Sequence, residues 1–522
     1  MSSNKLFLGI ELGSTRIKSV LISHTHAIVA SGAHAWENAL INDNWTYSLE
    51  DVWAGVQSSI QSLARDYNAK TKTELSNATI GGIGISAMMH GYLAFDTNGE
   101  LLIPFRTWRN TTTEAAALAL TKEFDFNIPQ RWSIAHLYQA MLNEESHTKN
   151  VAFITTLAGY VHWKLTGEKV LGVGDASGVF PIDSTKCDYD SNMVTKFDAL
   201  ISQKGYQFSL QNILPVVKNA GDSAGVLTAE GVALLGADIF EPGIPLCPPE
   251  GDAGTGMIAT NSVAVRTGNV SAGTSIFAMV VLEKALSNVH VEVDMVTTPN
   301  GRPVAMVHCN NCCTDIDAWV KLFGESLAAF GAKVDQNTLY DTLYRKALEG
   351  SANAADVLTY NYYSGEPITG FDNGRPTMIR TPNADFSLKN LMRSLVFSAI
   401  ATLKIGMKIL GDEGVKLDQL LGHGGFFKVA GVGQQLMAAA LNVPVTVMES
   451  AGEGGAWGIA ILSAYQVQKS EGETLDAYLS KLFANEKGST IEPSPDDIAD
   501  FATYMDAYVK GLDVVRAAIS VI

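Results

Sequence analysis

A pair of apolar segments joined by a short hydroxyl-rich turn occurs twice in this sequence. The first pair lies at residues 6–22, and the second lies at residues 262–283, roughly half the chain further on. The turn residues that correspond in the two copies are Gly13, Ser14 and Thr15, and Gly273, Thr274 and Ser275. Hairpins are common, so chance is one explanation of the repeat, but each copy stands at the opening of one presumed half of the chain, which favours a duplication.

These turns differ from the Asn-Gly or Asp-Gly turns that suffice for an ordinary hairpin. Each turn offers main-chain N–H groups and hydroxyl groups, and the first also has a carboxylate, Glu11, near the end of its leading strand. Successive N–H groups in such turns form concave binding sites for anions. Two such loops facing each other across a cleft could hold the phosphates of one nucleotide. A plain surface hairpin is the alternative interpretation.

The composition narrows the class of protein. A chain of 522 residues is too long for one compact core, so two domains or three are expected. A net charge of −17 argues against nucleic acid or an anionic membrane surface as the main partner. No uninterrupted apolar run is long enough to span a membrane, and we expect no cleavable leader. Five cysteines do not make a disulfide framework. These features predict a cytoplasmic globular protein.

Strands alternate with helices along the chain, which predicts an α/β fold. Ser48 is placed to cap a helix whose apolar residues repeat at helical spacing as far as Tyr67. Strands are expected at 27–36 and 78–87, and a hairpin is expected at 92–105 around Asn98 and Gly99. Further helices are predicted at 133–145, 152–165, 314–330, 387–411 and 431–441.

Residues 308–313, HCNNCC, contain the cysteine pattern that most resembles a metal site. Cys309 and Cys312 have the two-residue separation of metal-binding hooks. A second pair is missing, since Cys187 and Cys247 are isolated and distant in the sequence. We therefore expect buried thiols here rather than structural zinc.

Two glycine clusters fall in the last quarter of the chain. They are LGHGGFFK at 421–428 and ESAGEGGAWGIAILSAY at 449–465, and each leads into a predicted helix. Glycines at a helix entry permit close approach of a flat or anionic ligand. Glycine-rich turns are also ordinary connectors, so each cluster alone is a weak signal.

Asp252 is the candidate for chemistry. It lies beside glycines in PPEGDAGTG, on a predicted loop just before the second copy of the repeat. A carboxylate at a junction between domains could accept a proton from a substrate hydroxyl while that oxygen attacks phosphorus. An aspartate that only stabilises a turn is the alternative.

Taken together, seven short motifs resemble the FGGY carbohydrate kinases, in order along nearly the whole chain. The motifs are IELGSTRIK, SAMMHGYLAFD, RTWRN, GDAGTG, SAGTS, GHGGFF and AGEGGAWGIA. This family belongs to the actin, Hsp70 and hexokinase superfamily. The resemblance implies two ribonuclease H-like domains, at residues 1–258 and 259–522, with a ligand cleft between them. It also implies a sugar substrate and the cofactors ATP and Mg²⁺.

The resemblance assigns roles to individual residues. Those expected at the ATP phosphates are Gly13, Ser14, Thr15, Gly273 and Thr274, and those expected around adenosine are Gly424, Gly425, Phe427, Gly452 and Glu453. Those expected near the sugar are Met89, His90, Trp108 and Arg109. Asp252 is expected to contact the sugar and to act as the general base, and Glu11 is expected to serve the metal.

The sequence also departs from the family pattern. Glu11 stands where Asp is usual, which favours a metal contact through a bridging water. The motif TWRN replaces the common Trp-Asn-Asp, which leaves the polar contact near Arg109 open. The Met-His-Gly in MMHG is like xylulokinases, whereas Ala253 after the expected base is more like ribulokinases. We therefore expect a ketopentose 5-phosphate as product, with L-ribulose slightly preferred over D-xylulose.

Other functions remain as alternatives. One is a kinase of another polyol or sugar acid, such as glycerol or gluconate. Another is a chaperone or filament ATPase of the same superfamily, which would share the phosphate loops but would lack a sugar-side set such as Met89, His90 and Trp108. A dinucleotide-dependent oxidoreductase ranks last, because residues 9–15 do not fit Gly-x-Gly-x-x-Gly. The oligomeric state stays open, with a homodimer as one candidate.

Overall fold

The computed structural model describes residues 5–75, 80–448, 454–484 and 486–521. Contacts between residues divide the chain into two compact units. Unit 1 comprises Met1–Val263, Asp294–Val304 and Glu453–Asn485, and unit 2 comprises Ala264–Val293, Ala305–Gly452 and Glu486–Ile522. The units interleave along the chain, whereas the sequence predicts one boundary between residues 258 and 259.

Strands and helices alternate through both units. The strands are β1 Leu6–Leu12, β2 Arg16–Ile22, β3 Ile28–Ala35, β4 Ala39–Ile41, β5 Asn44–Thr46, β6 Ile80–Ala87, β7 Leu93–Phe95, β8 Phe153–Thr155, β9 Val170–Gly172, β10 Ile182–Asp183, β11 Asp188–Tyr189, β12 Val216–Lys218, β13 Glu250–Gly251, β14 Thr267–Ala272, β15 Ile276–Val281, β16 Val293–Thr297, β17 Pro303–Cys309, β18 Val357–Tyr360, β19 Thr377–Arg380, β20 Gln419–His423, β21 Val445–Met448 and β22 Gly488–Ile491. The helices are α1 Leu49–Thr71, α2 Glu114–Phe124, α3 Ser133–Leu142, α4 Leu157–Thr166, α5 Val173–Ala176, α6 Ser191–Ser202, α7 Ala229–Leu235, α8 Asp252–Ala259, α9 Thr314–Ala329, α10 Gln336–Leu348, α11 Leu388–Asp412, α12 Val432–Leu441, α13 Gly454–Gln468, α14 Leu475–Phe483 and α15 Pro495–Val521.

The main sheet of unit 1 has the strand order β3–β2–β1–β6–β13. β1 pairs antiparallel with β2 and parallel with β6, and β6 pairs parallel with β13. The carboxyl ends of β1, β6 and β13 therefore meet at one edge of the sheet. The turn at 13–15 leaves the sheet at this edge.

Helices cover this sheet through contacts that depend on small residues. α13 packs on β1, and a Cβ on Gly9 would lie 2.0 Å from the carbonyl oxygen of Ala456 and 2.8 Å from the nitrogen of Ala460. α1 packs on β3 and buries an apolar face that includes Val56 and Ile60. The predicted cap of α1 is confirmed, because the Ser48 hydroxyl accepts a hydrogen bond from the N–H of the third residue after it.

Unit 2 repeats this arrangement with the strand order β17–β15–β14–β20–β21–β22. β14 pairs antiparallel with β15 and parallel with β20, and β20 pairs parallel with β21. The turn at 273–275 joins β14 to β15 as the turn at 13–15 joins β1 to β2. The predicted α/β class and the predicted duplication of the strand–turn–strand element are both confirmed.

Helix α11 is the core helix of unit 2. It is long and apolar enough to cross a membrane by length and composition alone, with a mean hydropathy of 1.5 over its most apolar window. Of that window, 67% is buried inside the fold, as in the core helices of many globular proteins. The predicted helices at 314–330, 387–411 and 431–441 are confirmed as α9, α11 and α12.

The structure differs from the sequence prediction around residues 92–105. β7 pairs antiparallel with β8, and the segment after Asn98 and Gly99 returns only as isolated bridges to β7 and its neighbour. The distant strand β8 offers Phe153, whose ring lies 6.3 Å from that of Phe95. The predicted turn itself is present, because the N–H of Gly99 donates to the Asp96 oxygen at 3.1 Å, and burial of these aromatic side chains adds the pairing of β7 with β8. For the same reason the helix predicted from 152 begins only at Leu157.

We expect Gly9→Ala to destabilise unit 1, because the added Cβ meets the backbone of α13 rather than a side chain that could move. Overpacking of this kind costs about 1–3 kcal/mol of unfolding free energy. The control is Gly411→Ala in α11, where a Cβ finds open space and where alanine favours the helix by up to about 1 kcal/mol. Urea unfolding of both variants checks the prediction. Equal stability of Gly9→Ala and wild type would contradict the packing of α13 on β1.

Candidate functional site

The edge where the parallel strands of unit 1 end collects the polar groups that the sequence singled out. Leu12 of β1 and Gly251 of β13 both pair with Ala87 of β6. The segments that leave these strands begin at Gly13, at residue 88 and at Asp252. Three stretches far apart in the sequence are thereby brought to one place, as parallel strands commonly do for ligand sites.

Asp252 is the first residue of α8, so the predicted loop position is wrong. Gly251 ends β13 in extended backbone, and the helix starts directly from the strand because a carboxylate is favourable in the first turn of a helix. The Oδ1 atom of Asp252 accepts a hydrogen bond of 3.1 Å from the Met89 N–H. Burial raises the pKa of Asp252, which this N–H partly offsets. Asp252 is thus a carboxylate in a fixed position with enhanced basicity.

His90 follows Met89 in a left-handed backbone conformation, with φ of 71°. Its Nδ1 lies 3.3 Å from the carbonyl oxygen of Gly178, and its ring stacks on Trp132. Burial and the positive charge of Arg131 lower the pKa of His90 well below its usual value. Because a carbonyl oxygen can only accept, Nδ1 carries the proton and Nε2 is left as an acceptor.

Glu11 is partly buried at the end of β1. Its Oε2 atom accepts a hydrogen bond of 3.1 Å from the Ala456 N–H in the first turn of α13. Burial, and then the negative charge of Asp252, raise the pKa of Glu11 to about 7. The two carboxylates are therefore close enough to repel each other, and a cation would relieve that repulsion.

This donor set fits Mg²⁺ that is completed by other oxygen ligands. Magnesium is commonly held by one or two carboxylates together with waters and substrate phosphates. Within the described residues there is no group of three or more His, Cys, Asp or Glu side chains that would form a complete protein cage. Glu11 is the residue of this set that could hold such an ion, directly or through water.

The turn between β1 and β2 has its carbonyl oxygens occupied by hydrogen-bond donors. Trp36 donates from Nε1 to the Gly13 oxygen at 2.7 Å and from its main chain to the Thr15 oxygen at 3.2 Å. The Tyr47 hydroxyl donates to the Ser14 oxygen at 2.5 Å. In the part of the chain that the structure describes, the N–H groups of Ser14 and Thr15 have no partner. The turn therefore presents donors, which suits an anion.

The turn between β14 and β15 in unit 2 is held in the same way by different groups. The N–H of Cys313 donates to the Gly273 oxygen at 2.9 Å, and the N–H of Cys312 donates to the Thr274 oxygen at 3.0 Å. Beside this turn lies a cavity of about 660 Å³, large enough for a nucleotide. Gly425 lines it as well, so the second turn and one glycine cluster are brought together.

The cavity has an aromatic and polar lining that the sequence analysis did not identify. The lining side chains come mainly from the start of α9, from α10 and from the segment after β20, and they include Asp317, Asn337, Tyr340, Tyr344 and Lys428. Tyr340 donates a hydrogen bond to Asp317 at 2.8 Å. No local sequence pattern indicates these residues, because only the packing of α9 and α10 brings them together.

Three further residues that the sequence analysis assigned to ligands contact other parts of the protein, and their ligand roles stay predictions. The indole Nε1 of Trp108 donates to the Ser14 hydroxyl at 3.1 Å, so Trp108 is attached to the first turn. Arg109 is exposed, with its guanidinium 3.9 Å from the Trp45 ring centre. Phe427 is buried, and a Cβ on Gly422 would touch its ring, so it packs against β20.

The glycine cluster after β20 also includes Gly424, which has φ of 100° and lies against β14. A Cβ there would be 2.4 Å from the Ala272 oxygen, so this position requires glycine for a structural reason. Gly452 and Glu453 lie outside the described residues.

A buried acidic pair behind Asp252 was missed by the sequence analysis. Glu250 accepts hydrogen bonds from the N–H groups of Asp175, at 2.8 Å, and Gly174, at 3.3 Å. The Thr156 hydroxyl donates to Asp175 at 2.6 Å, and burial nevertheless raises the pKa of Asp175 to about 7. Glu250 stands two residues before Asp252 and could have been noticed. Asp175 could not, because only the fold brings it there.

The cysteines of HCNNCC are buried and carry free thiols. The prediction of buried thiols is therefore confirmed at Cys309, Cys312 and Cys313. What the sequence did not show is the role of their backbone, since two of their N–H groups support the turn at 273–275.

Comparison with family models gives two matches that together span most of the chain. The N-terminal domain of the FGGY family of carbohydrate kinases matches residues 6–258. The C-terminal domain of the same family matches residues 268–467. The two matches begin close to the two copies of the strand–turn–strand element.

Individual proteins are similar to this chain at low identity. A xylulose kinase from Haemophilus influenzae is 21% identical over 97% of this chain and 99% of its own length. The solved structure of a ligand-bound xylulose kinase from Lactobacillus acidophilus has a TM-score of 0.79, 16% identity, and coverage of 98% and 99% of the two chains. A gluconate kinase from the same organism has a TM-score of 0.78, 17% identity and 98% coverage of both. These structures share the fold.

We expect Glu11→Gln to stabilise the protein at pH 8 but not at pH 4.5. The native state binds the Glu11 proton more tightly than the unfolded chain, so wild-type stability is lost as pH rises from 4.5 to about 7. After allowance for partial exposure, this loss is about 1–2 kcal/mol. Glutamine can still accept from the N–H of α13 but carries no charge. Urea unfolding at both pH values measures the difference.

The control for this prediction is Glu413→Gln, for which we expect the opposite change in unfolding free energy. The side chains of His290 and Asn288 donate to Glu413 and hold its pKa at about 2. Removal of that charge should lower stability at neutral pH. A Glu11→Gln variant that loses stability at pH 8 as Glu413→Gln does would contradict the electrostatic account of Glu11.

Proposed function

Because this chain belongs to the FGGY family of carbohydrate kinases, we propose that it phosphorylates a ketopentose with ATP and Mg²⁺. The observation that carries the proposal is the Asp252 carboxylate, fixed on the Met89 N–H beside a neutral histidine and a second carboxylate. Such an arrangement provides a base and a hydrogen-bond acceptor for a hydroxylated substrate. A chaperone or filament ATPase needs neither group, so this observation favours the kinase.

Xylulose is the first candidate among ketopentoses. Relatives that cover nearly the whole chain are named xylulose kinases, and the Met-His pair at 89 and 90 was the sequence feature most like them. The preference for L-ribulose rests on Ala253 alone. Because the relatives are only about a fifth identical and a gluconate kinase shares the fold, gluconate and glycerol are the alternatives to be tested.

In the proposed reaction Asp252 removes the proton from the attacking sugar hydroxyl. Burial raises its pKa, so the carboxylate is a better base than an exposed aspartate. His90 accepts a second substrate hydroxyl through Nε2, because its Nδ1 proton is committed to Gly178. The sugar is thereby oriented with one hydroxyl at the base.

We assign Glu11 and each of the two turns to phosphate binding. Mg²⁺, when bound, neutralises phosphate charge, and Glu11 is the side chain that would hold it. In unit 1 the N–H groups of Ser14 and Thr15 are the groups we assign to phosphate oxygens, because the carbonyl oxygens of that turn already have donors. In unit 2 we assign the N–H group of Thr274 to the same kind of contact for the same reason. In unit 2 the cavity beside Gly273 is large enough to take a nucleotide.

The first test measures ADP release with D-xylulose, L-ribulose, D-ribulose, L-xylulose, glycerol and gluconate at equal concentration. We expect D-xylulose to give the highest kcat/KM. A pocket built to bind a substrate hydroxyl discriminates strongly against analogues that lack it. ADP release that does not exceed the rate without sugar would contradict a sugar kinase. A clear preference for glycerol or gluconate would contradict a ketopentose kinase.

The second test is Asp252→Asn, which keeps the size and one acceptor oxygen but cannot take a proton at neutral pH. We expect kcat to fall by about 10²–10⁴, the usual loss when acid–base assistance is removed. Sugar affinity, measured by calorimetry, should change little.

Asp96→Asn is the matched control for that substitution. Asp96 also accepts main-chain hydrogen bonds in a turn, from Asn98 and Glu100, but it belongs to no proposed site. Its kcat should stay within about twofold of wild type. If Asp252→Asn behaved in the same way, Asp252 would have only a structural role at the start of α8 and the proposed mechanism would be wrong.

A further inference from the structure

We propose that Cys312 and Cys313 form an oxidisable dithiol site, and that peroxide closes it into a disulfide that disables the anion-binding turn at 273–275. The proposal rests on the proposed function for its consequence, because that turn is assigned to the nucleotide. The oxidation of the two thiols to a disulfide is inferred from their geometry and does not depend on the proposed function.

The two sulfur atoms are neighbours in space as well as in sequence. Their Sγ atoms are 3.6 Å apart, against about 2.05 Å in a disulfide. Cys313 lines the cavity of unit 2 and is 7% exposed, whereas Cys312 is not exposed at all, so the Cys313 thiol is the one we assign to attack by a small oxidant in the cavity. Cys312 is fully buried behind it, which protects that thiol from direct attack but leaves it in reach of its neighbour.

The reaction takes place in two steps. Hydrogen peroxide oxidises the Cys313 thiol to a sulfenic acid and is itself reduced, with loss of one water. The Cys312 sulfur then attacks the Cys313 sulfur, a second water leaves, and the sulfur–sulfur bond forms. In total two thiols and one peroxide give one disulfide and two waters.

Closure would alter the peptide that supports the turn. A disulfide between adjacent residues closes a ring that contains the peptide bond between them, and the N–H of that peptide is the donor to the Gly273 oxygen. Adjacent Cα atoms are about 3.8 Å apart, which is shorter than the usual 4.4–6.8 Å of a disulfide. The ring is therefore strained, and the peptide must rotate or bend to form it.

Loss of this support would release the turn from its anion-binding geometry. The carbonyl oxygens of Gly273 and Thr274 would lose the two cysteine N–H donors. These oxygens could then turn toward the bound anion and repel it. The same strain makes the disulfide easy to reduce. The site would thus act reversibly, under control of peroxide and thiols.

The experiment compares Mg-ATP binding by calorimetry before peroxide, after peroxide, and after later reduction with dithiothreitol. Mass spectrometry detects the disulfide by the loss of two hydrogen atoms from the peptide that contains Cys309, Cys312 and Cys313, and alkylation before digestion shows which of the three keeps a free thiol. We expect affinity to fall about tenfold or more and to return on reduction, since loss of a supporting hydrogen bond corresponds to that change.

Variants separate this site from other thiols. Peroxide should form no Cys312–Cys313 disulfide in Cys312→Ser. Relative to the same variant before peroxide, there should be no loss of Mg-ATP affinity that dithiothreitol restores. Cys187→Ser, which changes a partly buried thiol of unit 1, should remain as sensitive as wild type. Should Cys312→Ser fail to fold, Cys312→Ala removes the same thiol without burying a hydroxyl.

The outcomes distinguish this inference from the proposed function. Reduced wild-type protein that does not bind Mg-ATP would overturn the proposed function and this inference with it. Normal binding by reduced protein, unchanged once the Cys312–Cys313 disulfide has formed, would overturn only the inference. Absence of that disulfide after peroxide, or a disulfide that joins Cys309 instead, would also overturn it.

Discussion

In unit 1, Leu12 of β1 and Gly251 of β13 lie opposite the same residue of β6, Ala87. This register makes three parallel strands end together, so the segments that follow them emerge side by side. A shift of one residue in β13 would reverse the alternation of its side chains and move Asp252 from the Met89 N–H. The Asp252 carboxylate that we propose as the base, the turn at 13–15 and the backbone around His90 all depend on this alignment.

The carbonyl oxygens of the two turns that we assign to anion binding are occupied by different kinds of donor. An anion needs N–H groups without competing carbonyl oxygens nearby, so those oxygens must find donors elsewhere. In unit 1 the donors come from the aromatic side chains of Trp36 and Tyr47, whose rings stack 4.1 Å apart, and from the Trp36 N–H. In unit 2 they are main-chain N–H groups at the start of α9. In unit 2 the two donor N–H groups belong to Cys312 and Cys313, and for this reason we propose that this support is sensitive to oxidation.

Acidic groups accumulate around Asp252 at a cost in stability. Burial raises the pKa of Glu11 and of Asp175 to about 7, and the charge of Asp252 adds to both shifts. Hydrogen bonds from Ala456 and Thr156 offset only part of this. Such perturbed carboxylates are typical of functional sites, where a cation or a transferred proton makes use of them. The arrangement is consistent with a chain whose relatives are carbohydrate kinases.

The sequence alone was enough to predict the α/β class, the duplicated strand–turn–strand element with its turns at 13–15 and 273–275, and the cap of α1, because these features follow from local sequence patterns. It also identified Asp252, although it placed that residue on a loop, since the glycines around it do not reveal where a helix begins. The neighbours of Asp175 and Tyr340 could be known only from the fold, because these two residues reach their sites through packing of distant segments. The pairing of β7 with β8 has the same cause. Long-range burial fixed these contacts, and no local pattern encodes it.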